Sequence, residues 1–206
     1  KNAEPVKELN FDEAAEISYF LTRIIHPTCI MPAKLANIPV RLMSIGNPSS
    51  EGTLISNDFA QNCMKAVASK DGITSIRIKS GRMLMAHGFL RKVFEIFENH
   101  KTAIDMVTTS EVGVSITIDN DRHIEEIMDS LKRFGTVSCQ KGMTIVCIIG
   151  DLSCQNIGMQ SRIVNALEEI PTHMISYGGS PFNISFLIST RDKEIALNAL
   201  NNQLFN

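Results

Sequence analysis

The feature that most constrains this 206-residue chain is an internal repeat. Slid on itself by about 70 residues, the sequence sets Ile104 over Met174, Ser110 over Ser180, Ser115 over Ser185 and Ile118 over Ile188, a single offset throughout. Each copy reads as alternating strand and helix patterns. Residues 75–79 alternate apolar and polar like a strand, and Phe89, Leu90, Val93, Phe94 and Phe97 follow with helical spacing. Two β-rich runs come next, 103–107 and 112–118, separated by 108–111, and Ile124, Ile127, Met128, Leu131 and Phe134 predict a second helix. The copy then recurs: strand 144–149, helix 159–169, strands 173–177 and 183–188, helix 192–204. The fold class expected is α+β, with two ferredoxin-like βαββαβ modules. Each folds an antiparallel sheet with its helices on one face.

The segment before the repeats is different. Asn10 stands three residues before Glu13, the spacing of a capping box, so a helix is expected from there to about Ile25, ended by His26-Pro27. Pro32 is read as opening a short helix over 33–36, followed by strands at 38–43 and 53–55. Residues 57–72 are polar and without period, and are read as a connection. The domain division expected is therefore 1–56, a linker at 57–72, a first module at 73–141 and a second at 142–206.

Charge and composition exclude several functions. Twenty Lys and Arg against 22 Asp and Glu give a net charge of −2, with no basic surplus for nucleic acid. No apolar stretch reaches the roughly 18–20 residues of a membrane span, and no basic segment and apolar run opens the chain as a secretory signal. Five scattered cysteines, none in a CxxC pair, read as reduced thiols in a cytoplasmic protein. Cys147, inside an apolar strand, reads as a small buried hydrophobe and not a nucleophile. No close-spaced His or Cys pairs propose a metal site. The Gly178-Gly179 run lies between two strands, where it makes a turn and not a phosphate cradle. Position 1 is Lys, so the chain is expected to be a piece of a longer protein.

One cluster remains. Asp105 and Glu111 flank Thr108, Thr109 and Ser110; carboxylates hold an ammonium, while hydroxyls and backbone amides hold a carboxylate, and an α-amino acid carries both. On spacing alone the same residues are ordinary solvated turn chemistry.

At these residues the chain resembles a known family. Residues 83–119, MLMAHGFLRKVFEIFENHKTAIDMVTTSEVGVSITID, resemble the first regulatory ACT domain of aspartate kinases, above all the lysine-sensitive type. Residues 11–56 are similar to the C-terminal end of that family's amino-acid kinase domain, with Glu-Ala-Ala-Glu, His-Pro, Ile-Pro-Val, Asn-Pro and Gly-Thr-Leu-Ile in order. A second ACT-like repeat ends in Leu204-Phe205. The resemblance implies a parent enzyme that uses ATP and Mg to phosphorylate the β-carboxylate of L-aspartate. The phosphate-gripping and aspartate-binding residues, and all catalytic ones, are expected upstream of this chain, which alone is expected to be inactive. It also implies nucleotide contacts at Arg23 and Ile24, beside the bulkier Leu21-Thr22 pair, where the family usually has Gly-Ala. The effector site carried over comprises Met83, Ala86, Phe89, Leu90, Ala103, Ile104, Asp105, Ser110 and Glu111. Ala86 and Ala103 stand where lysine-sensitive members commonly have Ser, which leaves backbone amides to hold the effector's carboxylate. The retained acidic pair favours L-lysine over L-threonine. The resemblance further implies a homodimer through the ACT domains, and the end of the chain just past Leu204-Phe205 a monofunctional enzyme. Asp105→Ala is expected to abolish lysine binding without disturbing the fold, on the reading that Asp105 faces solvent. Other readings kept are a non-catalytic ACT-type amino-acid-sensing subunit and a module that only oligomerises.

Overall fold

A computed structural model describes residues 5–20, 27–57, 64–81, 87–152 and 157–205. The N-terminal segment carries a small sheet of β1 (Glu8–Asn10), β2 (Val40–Leu42) and β3 (Thr53–Ser56), ordered β1-β3-β2 with β1 parallel and β2 antiparallel to β3. Its helices are α1 (Phe11–Phe20) and α2 (Pro27–Leu35). The capping box forms as the sequence predicts: the Glu13 N–H donates to Asn10 Oδ1 (2.7 Å) and the Asn10 N–H to Glu13 Oε2 (2.9 Å). The second helix departs from expectation. It starts at Pro27, where the fixed φ of proline suits a first turn, and carries Pro32 in its interior. Residues 21–25, expected to continue the first helix, lie outside the described residues.

The rest folds around one six-stranded antiparallel sheet ordered β5-β6-β4-β7-β9-β8. Its strands are β4 (Met64–Lys79), β5 (Val107–Ser110), β6 (Gly113–Ile118), β7 (Thr136–Gly150), β8 (Thr172–Tyr177) and β9 (Asn183–Ser189). Its helices are α3 (Phe89–Asn99), α4 (Ile124–Leu131), α5 (Met159–Ala166) and α6 (Lys193–Phe205). The two central strands are long and belong to both repeats. The C-terminal part of β4 pairs with β6 and with 136–140 of β7, while its N-terminal part pairs with 145–150 of β7. The predicted connection at 57–72 is therefore strand from Met64 onward, and the predicted boundaries at 72/73 and 141/142 fall inside β4 and β7. Residues 58–63 lie outside the described residues. Expectation also misplaced β5, which occupies the 108–110 part of the predicted turn and not 103–106.

Two bulges mark where one repeat passes into the other. The β4–β7 register shifts between Lys70 and Ile73 and again between Ile73 and Ser75. Gly72 (φ 75°) and Gly142 (φ 72°) take the left-handed conformation there, as an extra residue in a strand requires. They are 70 residues apart, the repeat offset itself. Asp71 accepts from Lys193 (2.6 Å) and from Thr144 Oγ1 (2.8 Å), and across the pseudo-dyad Lys141 pairs with Asp121 (2.7 Å).

Two cores lie under the helices. Ile76, Ile78, Val114, Ile116 and Ile118 pack against Phe89, Val93, Ile96 and Phe97 of α3 and Ile127 and Leu131 of α4. In the second repeat Val146, Ile148, Ile184, Phe186 and Ile188 meet Ile163, Ala196 and Leu200. Phe94, included in the predicted stripe of α3, is turned outward, and Ile96 fills the core. A third cluster, Ile73, Met106, Met143, Ile145, Met174 and Leu187, covers the other side of the central strands. Here the sheet curls until its edge strands β5 and β8 touch, and α1 lies against β4 and β7. No helix among the described residues is long and apolar enough to cross a membrane.

Candidate functional site

Of the residues assigned to an effector site, Met83 and Ala86 lie outside the described residues, as do Arg23 and Ile24 of the nucleotide contact. The rest fall into two groups along β5. At one end are Phe89 and Leu90, opening α3 behind Gly88, which as a glycine brings no side-chain oxygen of its own to cap the first backbone amides. Phe89 is buried, its ring edge-on to Phe134 at 5.7 Å; it shapes the site by holding the start of α3 in place. Ser110 and Glu111 sit at the same end, in the tight β5–β6 hairpin where Ser110 pairs with Gly113. The Ser80 N–H donates to Val112 O (2.9 Å), which keeps that hairpin beside the segment leading to α3. Glu111 is exposed.

Ala103, Ile104 and Asp105 form the other group. Asp105 lies five residues before Ser110 along an extended chain, about 17 Å at strand rise, so one chain does not bring its two assigned carboxylates together. A local irregularity aims Asp105. Its N–H donates to Thr117 O, and the Thr117 N–H donates to Met106 O (both 2.9 Å), so two residues face one. That is the pattern of a β-bulge, which redirects side chains. The Thr117 hydroxyl accepts the Met106 N–H (2.9 Å) and completes the bulge.

The Asp105 side chain is only 4% exposed, which corrects the expectation of a solvent-facing carboxylate. Its Oδ1 accepts from Lys70 Nζ (3.0 Å) and from the Tyr19 hydroxyl. Its Oδ2 is buried with no hydrogen-bond partner among the described residues. Lys70 Nζ also reaches Asp119 Oδ2 (2.8 Å) and the Tyr19 oxygen (3.1 Å), and it lies 4.6 Å from the centre of the Tyr19 ring. Burial pushes the Tyr19 phenol up to about 12, and the hydrogen bond to Asp105 adds to it. For Lys70, burial works against the charged form, but the bonds to Asp119, Tyr19 and Asp105 outweigh it and raise its pKa.

Sequence reasoning passed over Tyr19, Lys70 and Asp119. They come from α1, β4 and the residue after β6, and only tertiary pairing collects them. One signal was present: Gly72 and Gly142 match at the repeat offset and place Lys70 in a strand.

The second repeat shows what divergence removed. By strand register Ile175, opposite Phe186, answers to Val107, opposite Ile116, so His173 stands where Asp105 does, and the longer hairpin at 178–183 carries no carboxylate in place of Glu111. The mouth of that copy is filled from within: the Tyr177 hydroxyl donates to Leu152 O (3.1 Å), and Gln160 Nε2 donates to the Tyr177 oxygen (2.8 Å). Cys147 is fully buried, and burial raises its thiol to about 12, in keeping with a packing residue.

Residues 146–204 match the family model of an ACT domain. The chain is 34% identical over 217 residues to chloroplastic aspartokinase 1 of Arabidopsis thaliana, covering 100% of this chain and 38% of that protein. Among solved structures it resembles Escherichia coli aspartokinase III in complex with lysine and aspartate in its T-state. That match has a TM-score of 0.87 and 32% identity over 98% of this chain and 47% of the other. A C-terminal regulatory domain of aspartate kinase from Porphyromonas gingivalis is 51% identical, with a TM-score of 0.63 over 68% of this chain and 97% of that one. The chain thus spans less than half the length of the full-length relatives cited here.

Proposed function

This chain belongs to the aspartokinase family, and from that premise we propose that it is the allosteric part of an enzyme transferring phosphate from ATP to the β-carboxylate of L-aspartate. L-lysine is the effector on this reading. The observation that carries it is the pair Asp105 and Glu111, present in the first repeat, where the second has His173 and a hairpin at 178–183 without a carboxylate. A desolvated ammonium needs a carboxylate, and the glycine-capped start of α3 would offer amides to an α-carboxylate. Support also comes from the likeness to aspartokinase III, solved with lysine and aspartate.

The separation of the two groups along β5 fits a homodimer. A second copy lying antiparallel along β5 would set Asp105 of one copy beside Ser110 and Glu111 of the other. Met83, Ala86, Ala103 and Ile104 complete the effector site in this reading. ATP and Mg belong to the phosphoryl transfer of the whole enzyme; Arg23 and Ile24 are the contacts proposed from this chain, and no step is derived through them. The cytoplasm is its proposed compartment, supported by the free thiols of Cys29, Cys139 and Cys147.

Isothermal titration with L-lysine, L-threonine and L-methionine tests the reading. The expected result is saturable binding of lysine, one equivalent per chain because only one repeat keeps the carboxylates. Absence of heat with all three amino acids would overturn the effector assignment.

A further inference from the structure

We propose that Tyr19 and Lys70 form a latch that competes with the effector's ammonium for Asp105, so that effector binding and the docking of α1 on the sheet exclude one another. The inference rests on the effector reading above and adds how that site is coupled to the N-terminal segment. The Asp105 side chain is nearly closed to solvent, and an arriving ammonium reaches its carboxylate only after a neighbour moves. The cluster of Asp105, Asp119 and Lys70 holds two carboxylates and one ammonium, and the buried Asp105 Oδ2 has no partner among the described residues. Both facts leave room for one further cation.

The geometry also says which neighbour yields. Lys70 is set in a long central strand, paired with Ile145 of β7, and Asp119 directly follows the last residue of β6. Tyr19 is neutral, stands near the end of α1 and is 40% exposed. Lys70 can release Asp105 without stranding its charge, because Asp119 Oδ2 remains 2.8 Å away. An effector ammonium entering at Asp105 therefore displaces the Tyr19 hydroxyl and shifts Lys70 onto Asp119. By linkage, whatever undocking of α1 the effector favours, a docked α1 opposes to the same degree in effector affinity. α1 lies in the segment that resembles the end of the kinase domain, so the latch carries the state of the effector site toward that domain.

The test is titration of the intact protein with L-lysine, comparing wild type with Tyr19→Phe. Phenylalanine keeps the ring beneath Lys70 and removes only the hydroxyl. Loss of one competing hydrogen bond predicts binding about three- to tenfold tighter. Lysine binding that is unchanged or weaker in Tyr19→Phe overturns the latch and leaves the effector reading standing. No lysine binding by either protein overturns both. Binding by Tyr19→Phe alone supports both. Because the 206-residue chain has two tyrosines and no tryptophan, Tyr177→Phe leaves Tyr19 as the sole emitter when this chain itself is titrated. A hydrogen bond to a carboxylate quenches tyrosine, so lysine is expected to raise its fluorescence; bound lysine without a change in emission also overturns the latch.

Discussion

Asp105 shows how far a residue's role depends on what the fold brings to it. Its carboxylate accepts two donors on one oxygen inside a pocket formed by α1, β4 and the bulge at 105–106. Asp105→Ala is accordingly expected to do more than remove a ligand contact. Leaving Lys70 and Tyr19 short of an acceptor should lower stability by about 1–3 kcal/mol, measured as a lower midpoint in urea with an unchanged slope. A midpoint equal to wild type would show the carboxylate to be energetically idle. Local spacing and resemblance singled out Asp105 and Glu111, since both depend on neighbours in the sequence. Lys70 was illegible because its partners lie 35 residues away at Asp105 and 51 at Tyr19, and long-range pairing leaves no trace in local period.

At the scale of elements, helices were the more legible. The buried face of α4 and most of that of α3 repeat at helical spacing, and α1 announces itself through its capping box. Phe94 and Phe97 test the face of α3 directly. Phe97→Ala opens a cavity in a packed core and should cost about 3–5 kcal/mol, whereas Phe94→Ala, on the outer side, should change stability by less than about 1 kcal/mol. Denaturant unfolding of the pair checks this, and equal losses would contradict the assigned face. Strands β4 and β7 were each recognised over only part of their length. An extra residue at Gly72 and at Gly142 flips the phase of apolar alternation mid-strand, so a search for one period loses each strand at its bulge. Lys70 and Asp71, turned to charged partners, made the remainder look like a linker.

For the whole molecule, the repeat was readable but its cut points were not. Each module borrows a strand segment from the other, since residues 66–70 of β4 lie against 145–149 of β7. A fragment of residues 142–206 therefore lacks the strand that covers one side of its sheet, and circular dichroism should find it largely unfolded. The unit from residue 64 to 206 should give cooperative thermal melting, because both long strands are then paired along their length. Cooperative folding of 142–206 alone would contradict the shared-strand account.

The seam where the curled sheet brings β5 toward β8 is lined by Met106, Met143 and Met174, half of the apolar cluster on that side. Unbranched thioethers refill space as their surroundings shift, where β-branched residues would leave gaps or collide. The two edges of the sheet are thus joined by a compliant filling, and its curvature can change at small cost while the ladders on either side stay intact. A signal arriving at one edge would travel as bending of a single elastic plate, not as the sliding of one block over another.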